Sequence, residues 1–238
     1  VTRRVILVVE GTSDARRVRG VWRAVGATVP LSGVTASQEF FDVHTTHAYF
    51  KRRFGGRTFA GQPIGSGHAG VLRRLLQATK RDPDAVGAIG MVFVVDEDGA
   101  ASTVADQLRA ARDALAAPAG PWSSAGPEPI AVGAPSPCSE AWVIAGYQAR
   151  SSEDRANLER LKRALTFDPV ASPERLNHQR VGAHPDRWAK SVLERLGLDD
   201  LEAEAAAITA AATTPTTGTR GAGLDAFVHE PDARIPKV

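Results

Sequence analysis

The run Arg4 to Val9 (RVILVV), followed at once by Glu10-Gly11-Thr12-Ser13-Asp14, decides the fold of this 238-residue chain. A short stretch of branched apolar side chains with no polar face reads as a strand buried on both sides, the habit of parallel sheets. Ser13 suits the cap of a helix running to about residue 25, with Val18, Val21, Trp22 and Val25 on one face and its arginines on the other. A second apolar run, AIGMVFVV over residues 88–95, ends in Asp96-Glu97-Asp98-Gly99. Weaker strands are expected at 40–43 and 129–132. Helices are expected at 68–80, 102–116, 139–148, 152–165, 186–196 and 200–212. Strands alternating with helices imply an α/β fold whose mainly parallel sheet is flanked by helices. The chain divides into an α/β core over 1–135, a helical C-terminal extension packed on it over 136–212, and a Thr/Gly-rich linker with an extended tail over 213–238.

Composition narrows the class. Hydrophobic residues make up 43% and charged residues 24%, which excludes wholesale disorder. A single cysteine, Cys138, excludes an internal disulfide framework and a multi-cysteine zinc site. No apolar run approaches the ~18 residues of a membrane span. The start Val-Thr-Arg-Arg lacks a signal-peptide layout, so a soluble cytoplasmic protein without membrane partners is expected. The net charge of +2 hides an asymmetry: residues 1–81 carry a net +10 and the remainder a net −8. A one-sided basic segment, with Arg16, Lys51, Arg52, Arg53 and Arg73 in it, reads either as a footprint for nucleic acid or as a solvated surface.

The carboxylates carry the chemistry. In an open α/β sheet, functional residues gather at the carboxyl ends of the strands. Glu10 follows one strong strand, and Asp96 with Asp98 follows the other. Two residues apart in extended chain, Asp96 and Asp98 face the same way while Glu97 faces away. Clustered carboxylates repel, and a hard divalent cation with oxygen ligands, Mg²⁺ or Mn²⁺, relieves that repulsion. The alternative is that these acids only terminate strands and cap turns.

Val9-Glu10-Gly11-Thr12-Ser13-Asp14 resembles the (V)EGxxD motif of TOPRIM domains, and Asp96-Glu97-Asp98-Gly99 resembles their DxD motif. The resemblance covers about residues 4–132, with an insertion expected around 44–61. Pro137-Cys138-Ser139-Glu140-Ala141-Trp142 is similar to the P-x-x-E-A-W segment of small stand-alone bacterial proteins with an OLD-like TOPRIM domain. The glycine turn and basic helix of 65–76 are similar to that group as well. The resemblance implies a Rossmann-like TOPRIM core and a Mg²⁺-dependent nuclease acting on DNA or RNA. Glu10 would be the general acid/base or a metal ligand, Asp96 and Asp98 metal ligands, and Asp14 and Glu140 candidates for a second metal. Glu140 reads equally as an early-helix acid favourable to the dipole. The resemblance also implies a role in defence against phage or plasmids. Because the chain has no P-loop, it leaves room for a separate ATPase partner. Lys190 is a candidate for reaching the rim and steadying phosphoryl charge, with surface solvation as the alternative.

Two other functions remain open on sequence. One is a TOPRIM-like module that binds metal, nucleic acid or a partner without turnover. The other is a haloacid-dehalogenase-type phosphohydrolase, whose DxDG hallmark overlaps residues 96–99 but normally follows the first strand. Cys138 reads as a small packed residue, and Trp142 and Trp188 as packing anchors.

Overall fold

The computed structural model describes residues 4–28, 41–45, 88–97, 106, 108–109, 130–178 and 185–234. Their strands are β1 (Arg4–Val9), β2 (Phe41–Thr45), β3 (Ala88–Val94) and β4 (Ile130–Gly133). All pairings are parallel, in the order β2-β1-β3-β4. Both faces of β1 and β3 are buried. Val5, Leu7, Val9, Val92 and Val94 lie in the main core, and Ile6, Val8, Met91 and Phe93 are equally covered on the other side. That double burial is why the sequence shows unbroken apolar runs rather than alternation. Chain order reverses between β1 and β3, so the sheet has its switch point there. The crevice at the carboxyl ends of these two strands is where such sheets bind ligands.

One core face is packed by α1 (Thr12–Thr28), α2 (Ser139–Ala145) and α5 (Leu201–Thr213). Asp14 accepts from the Gly11 N–H at 2.7 Å, satisfying an otherwise unpaired donor at the start of α1. Between α2 and α5 lie α3 (Ser152–Leu165), two 3₁₀ turns (Pro173–Arg175 and Pro185–Arg187) and α4 (Ala189–Arg195). Ser151 and Asp154 form a capping box on α3, and Asp200 caps α5 through the N–H groups of Glu202 and Ala203. The end of α2 lies so close to α5 that a Cβ on Gly146 would collide with the Ala207 carbonyl oxygen. The expected helix over 68–80 and insertion over 44–61 lie, apart from residues 44 and 45 in β2, outside the described residues. Of the one expected over 102–116, Asp106, Leu108 and Arg109 are described and helical. Among the described residues no helix is long and apolar enough to cross a membrane.

The expected linker and extended tail over 213–238 is corrected by the structure. The chain there forms α6 (Thr217–Gly221) and α7 (Leu224–Arg234). Thr216 caps α6 in a box with Thr219, so the threonines begin a helix instead of loosening the chain. Gly218 is required by close approach, since a Cβ there would strike the Val170 carbonyl oxygen. Leu224 and Phe227 are buried, and Phe227 stacks on Trp142 at a centroid distance of 5.0 Å. The Trp142 indole N–H donates to the Ala222 carbonyl at 2.8 Å, which confirms Trp142 as a packing anchor.

Candidate functional site

Glu10 is the first residue after β1 and Asp96 the second after β3. The register pairs Val8 with Phe93. Carried forward two steps, it sets Glu10 opposite Val95, so the two acids emerge at adjacent levels of the same edge. Glu10 is exposed, whereas Asp96 is only 7% exposed. One Asp96 oxygen, Oδ1, accepts the Ser139 backbone N–H at 3.1 Å. The other, Oδ2, lies 3.6 Å from Nε2 of His178, beyond hydrogen-bond range. Burial, followed by the charges of Asp14, Glu10 and Glu140, pushes the Asp96 carboxyl up to about 9, against a smaller opposing effect of the Ser139 N–H. Asp96 therefore holds a proton at neutral pH unless a cation compensates it.

Beside the rim is a second group of charges, built by α1, α2 and α5. Asp14 accepts the Ser139 hydroxyl through Oδ1 and the Gly11 N–H through Oδ2. Arg17, one turn on from Asp14 and 5% exposed, reaches between the helices. Its Nη1 donates to Ser139 Oγ at 2.6 Å and lies 3.0 Å from Glu140 Oε1 and 3.6 Å from Asp14 Oδ1. Its Nη2 lies 3.4 Å from Glu204 Oε2, and its buried Nε meets no acceptor among the described residues. Arg16 holds the same Glu204 in a two-pronged pair at 2.9 Å for each contact. Burial alone would raise Glu140, but the Arg17 guanidinium overrides it, aided by a hydrogen bond with Cys138, and holds the carboxyl below its usual range. The Arg17 guanidinium is raised in turn: burial opposes its charge, and Glu140 and Glu204 outweigh burial. The Cys138 thiol is pushed up by burial and then by Glu140 and Asp96, so it is no thiolate nucleophile.

The structure thus brings Glu10, Asp14, Asp96 and Glu140 close enough for their charges to act on one another. Asp98, Lys51, Arg52, Arg53 and Arg73 lie outside the described residues. Arg16, expected to meet nucleic acid, spends its guanidinium on Glu204 while remaining 47% exposed. Lys190 is exposed in the first turn of α4. Sequence reasoning missed Arg17, Ser139, Glu204 and His178. Glu204 carried a signal, as an acid inside the apolar run Ala203-Glu204-Ala205-Ala206-Ala207. His178 carried none. Among the described residues no three His, Cys, Asp or Glu side chains form a group that by itself could hold a metal ion. The described part of the expected cation site is Glu10 and Asp96: hard oxygen donors, the second kept protonated first by burial and then by its carboxylate neighbours. Oxygen donors of this kind are those a hard divalent cation takes. No protein-family model, no curated protein and no solved structure matches the chain.

Proposed function

We propose that this protein is a divalent-cation-dependent nuclease hydrolysing phosphodiester bonds in DNA or RNA, with its centre at the rim where Glu10 and Asp96 stand and with Asp98, two residues on in sequence, as a further ligand. The observation that carries the reading is the placement of Glu10 and Asp96 side by side at the switch point of a parallel sheet, with Asp96 buried among other carboxylates. A Mg²⁺ or Mn²⁺ ion held there by Glu10, Asp96 and Asp98 would supply Lewis-acid polarisation of a phosphoryl oxygen and a more acidic water. Glu10 is exposed and would accept the proton of an attacking water. Asp96 is held at Oδ1 by the Ser139 N–H, and its Oδ2 lies 3.6 Å from His178 Nε2. The resemblance to TOPRIM domains supports nucleic acid as substrate. A part in phage or plasmid defence, and a separate ATPase partner, rest on that resemblance alone.

The test is incubation of the purified chain with plasmid, linear and single-stranded DNA and with RNA, with and without Mg²⁺ or Mn²⁺. Cation-dependent cleavage that disappears in Asp96→Ala is expected. Cleavage retained by that variant would overturn the site. Salt-dependent binding without cleavage under either cation would assign the chain to a non-catalytic binding module.

A further inference from the structure

We infer that Arg17 is a built-in second cation of the carboxylate cluster, so that the rim takes one divalent ion rather than two. The inference rests on the cation site proposed for Glu10 and Asp96 and concerns what stands next to it. A second ion would need Asp14 and Glu140 as ligands, with oxygens at roughly 2.0–2.6 Å from the metal. Both already face one cation: Arg17 Nη1 lies 3.6 Å from Asp14 Oδ1. The two oxygens of Asp14 accept the Gly11 N–H and the Ser139 hydroxyl. Glu140 pairs with Arg17 Nη1 at 3.0 Å.

The guanidinium fills the space where a second ion would sit, and three elements keep it there. Its own helix α1 packs tightly on α5, where a Cβ on Gly20 would meet Ile208 Cγ2 at 2.8 Å. Glu204 from α5 takes Nη2, while Ser139 and Glu140 from α2 take Nη1. A guanidinium cannot shed its proton inside a protein, so the charge is permanent. A fixed positive charge also needs no ion from solution and no reorganisation as negative charge develops nearby. Ser139 couples this cation to the rim: its hydroxyl bridges Arg17 and Asp14, and its N–H holds Asp96. Arg17 is on this account a positioning residue, acting on the rim through Ser139.

The experiment counts Mn²⁺ bound by the intact chain, using equilibrium dialysis with paramagnetic resonance of the free ion. One Mn²⁺ per chain is expected, and Glu140→Gln is expected to keep that ratio and its Kd within about 2-fold. Asp96→Asn is expected to weaken binding by about 10-fold or more. Arg17→Met leaves Asp14 and Glu140 facing one another without their cation, while Glu204 keeps Arg16, and its ratio is expected to rise to two. If that variant does not fold, the wild type and Glu140→Gln still decide. Two Mn²⁺ on the wild type, one of them lost in Glu140→Gln, would overturn the inference and leave the rim reading intact. A folded Arg17→Met that stays at one would overturn it too. No Mn²⁺ on the wild type would overturn both.

Discussion

An aspartate buried among other carboxylates keeps its proton, and the cost of that arrangement can be measured. Asp96 titrates at about 9 in the folded protein, against 3.8 for an ordinary aspartate. Between those values the folded state holds a proton that the unfolded chain has lost. Cation-free stability is therefore highest below about pH 4 as far as this group is concerned. It falls as pH rises toward 9, by at most about 1.4 kcal/mol per unit. Asp96→Asn keeps the shape of the neutral acid and is expected to flatten that limb, raising Tm at about pH 8 by several degrees. Thermal melts of both proteins across pH decide it, and parallel curves would show that Asp96 is not protonated. Added Mg²⁺ or Mn²⁺ is expected to raise the Tm of the wild type and to leave Asp96→Asn nearly unmoved.

Elements here meet through small residues, and the contact of α2 with α5 is the sharpest case. Gly146→Ala drives a methyl group into the Ala207 carbonyl, so the helices must separate. A loss of about 1–3 kcal/mol is expected, read from a urea midpoint that falls with an unchanged slope. β1 and β3 were legible because burial on both faces writes a short apolar run bounded by turn residues, and the acids at their ends follow from that placement. The Arg17 network was not legible. It joins residues 14, 17, 139, 140 and 204; the motif resemblance puts Asp14 and Glu140 together as metal candidates, but nothing local names Arg17, Ser139 or Glu204 as their partners. The last two helices were misread for a different reason. Thr216, Gly218 and Gly223 look like linker composition, yet the threonine is a cap, Gly218 permits a close crossing, and Gly223 supplies a left-handed turn at φ 76°.

At the scale of the whole molecule, residues distant in sequence close the structure. A chain stopped after residue 213 loses Phe227 and the Ala222 carbonyl, and leaves the buried Trp142 indole N–H unpaired. An orphaned donor costs about 1–3 kcal/mol, and loss of a buried phenylalanine about 3–5 more. The shortened chain is expected to melt well below the full one and to be cut faster by protease. Charge distribution acts at the same scale. Reversal of Lys51, Arg52 and Arg53 is expected to weaken nucleic-acid binding and to flatten its dependence on salt, since each lost phosphate contact removes counterion release. An unchanged slope in a filter-binding titration would show that this run only faces solvent. The ties from Asp14 to Ser139, from Arg17 to Glu204 and from Trp142 to Phe227 also fix an order of events in the cell. A growing polypeptide on the ribosome carries Glu10 and Asp96 long before it carries Glu204 or Phe227. The rim therefore cannot take its final shape until the segment carrying Glu204 and Phe227 has been made, more than a hundred residues after Asp96.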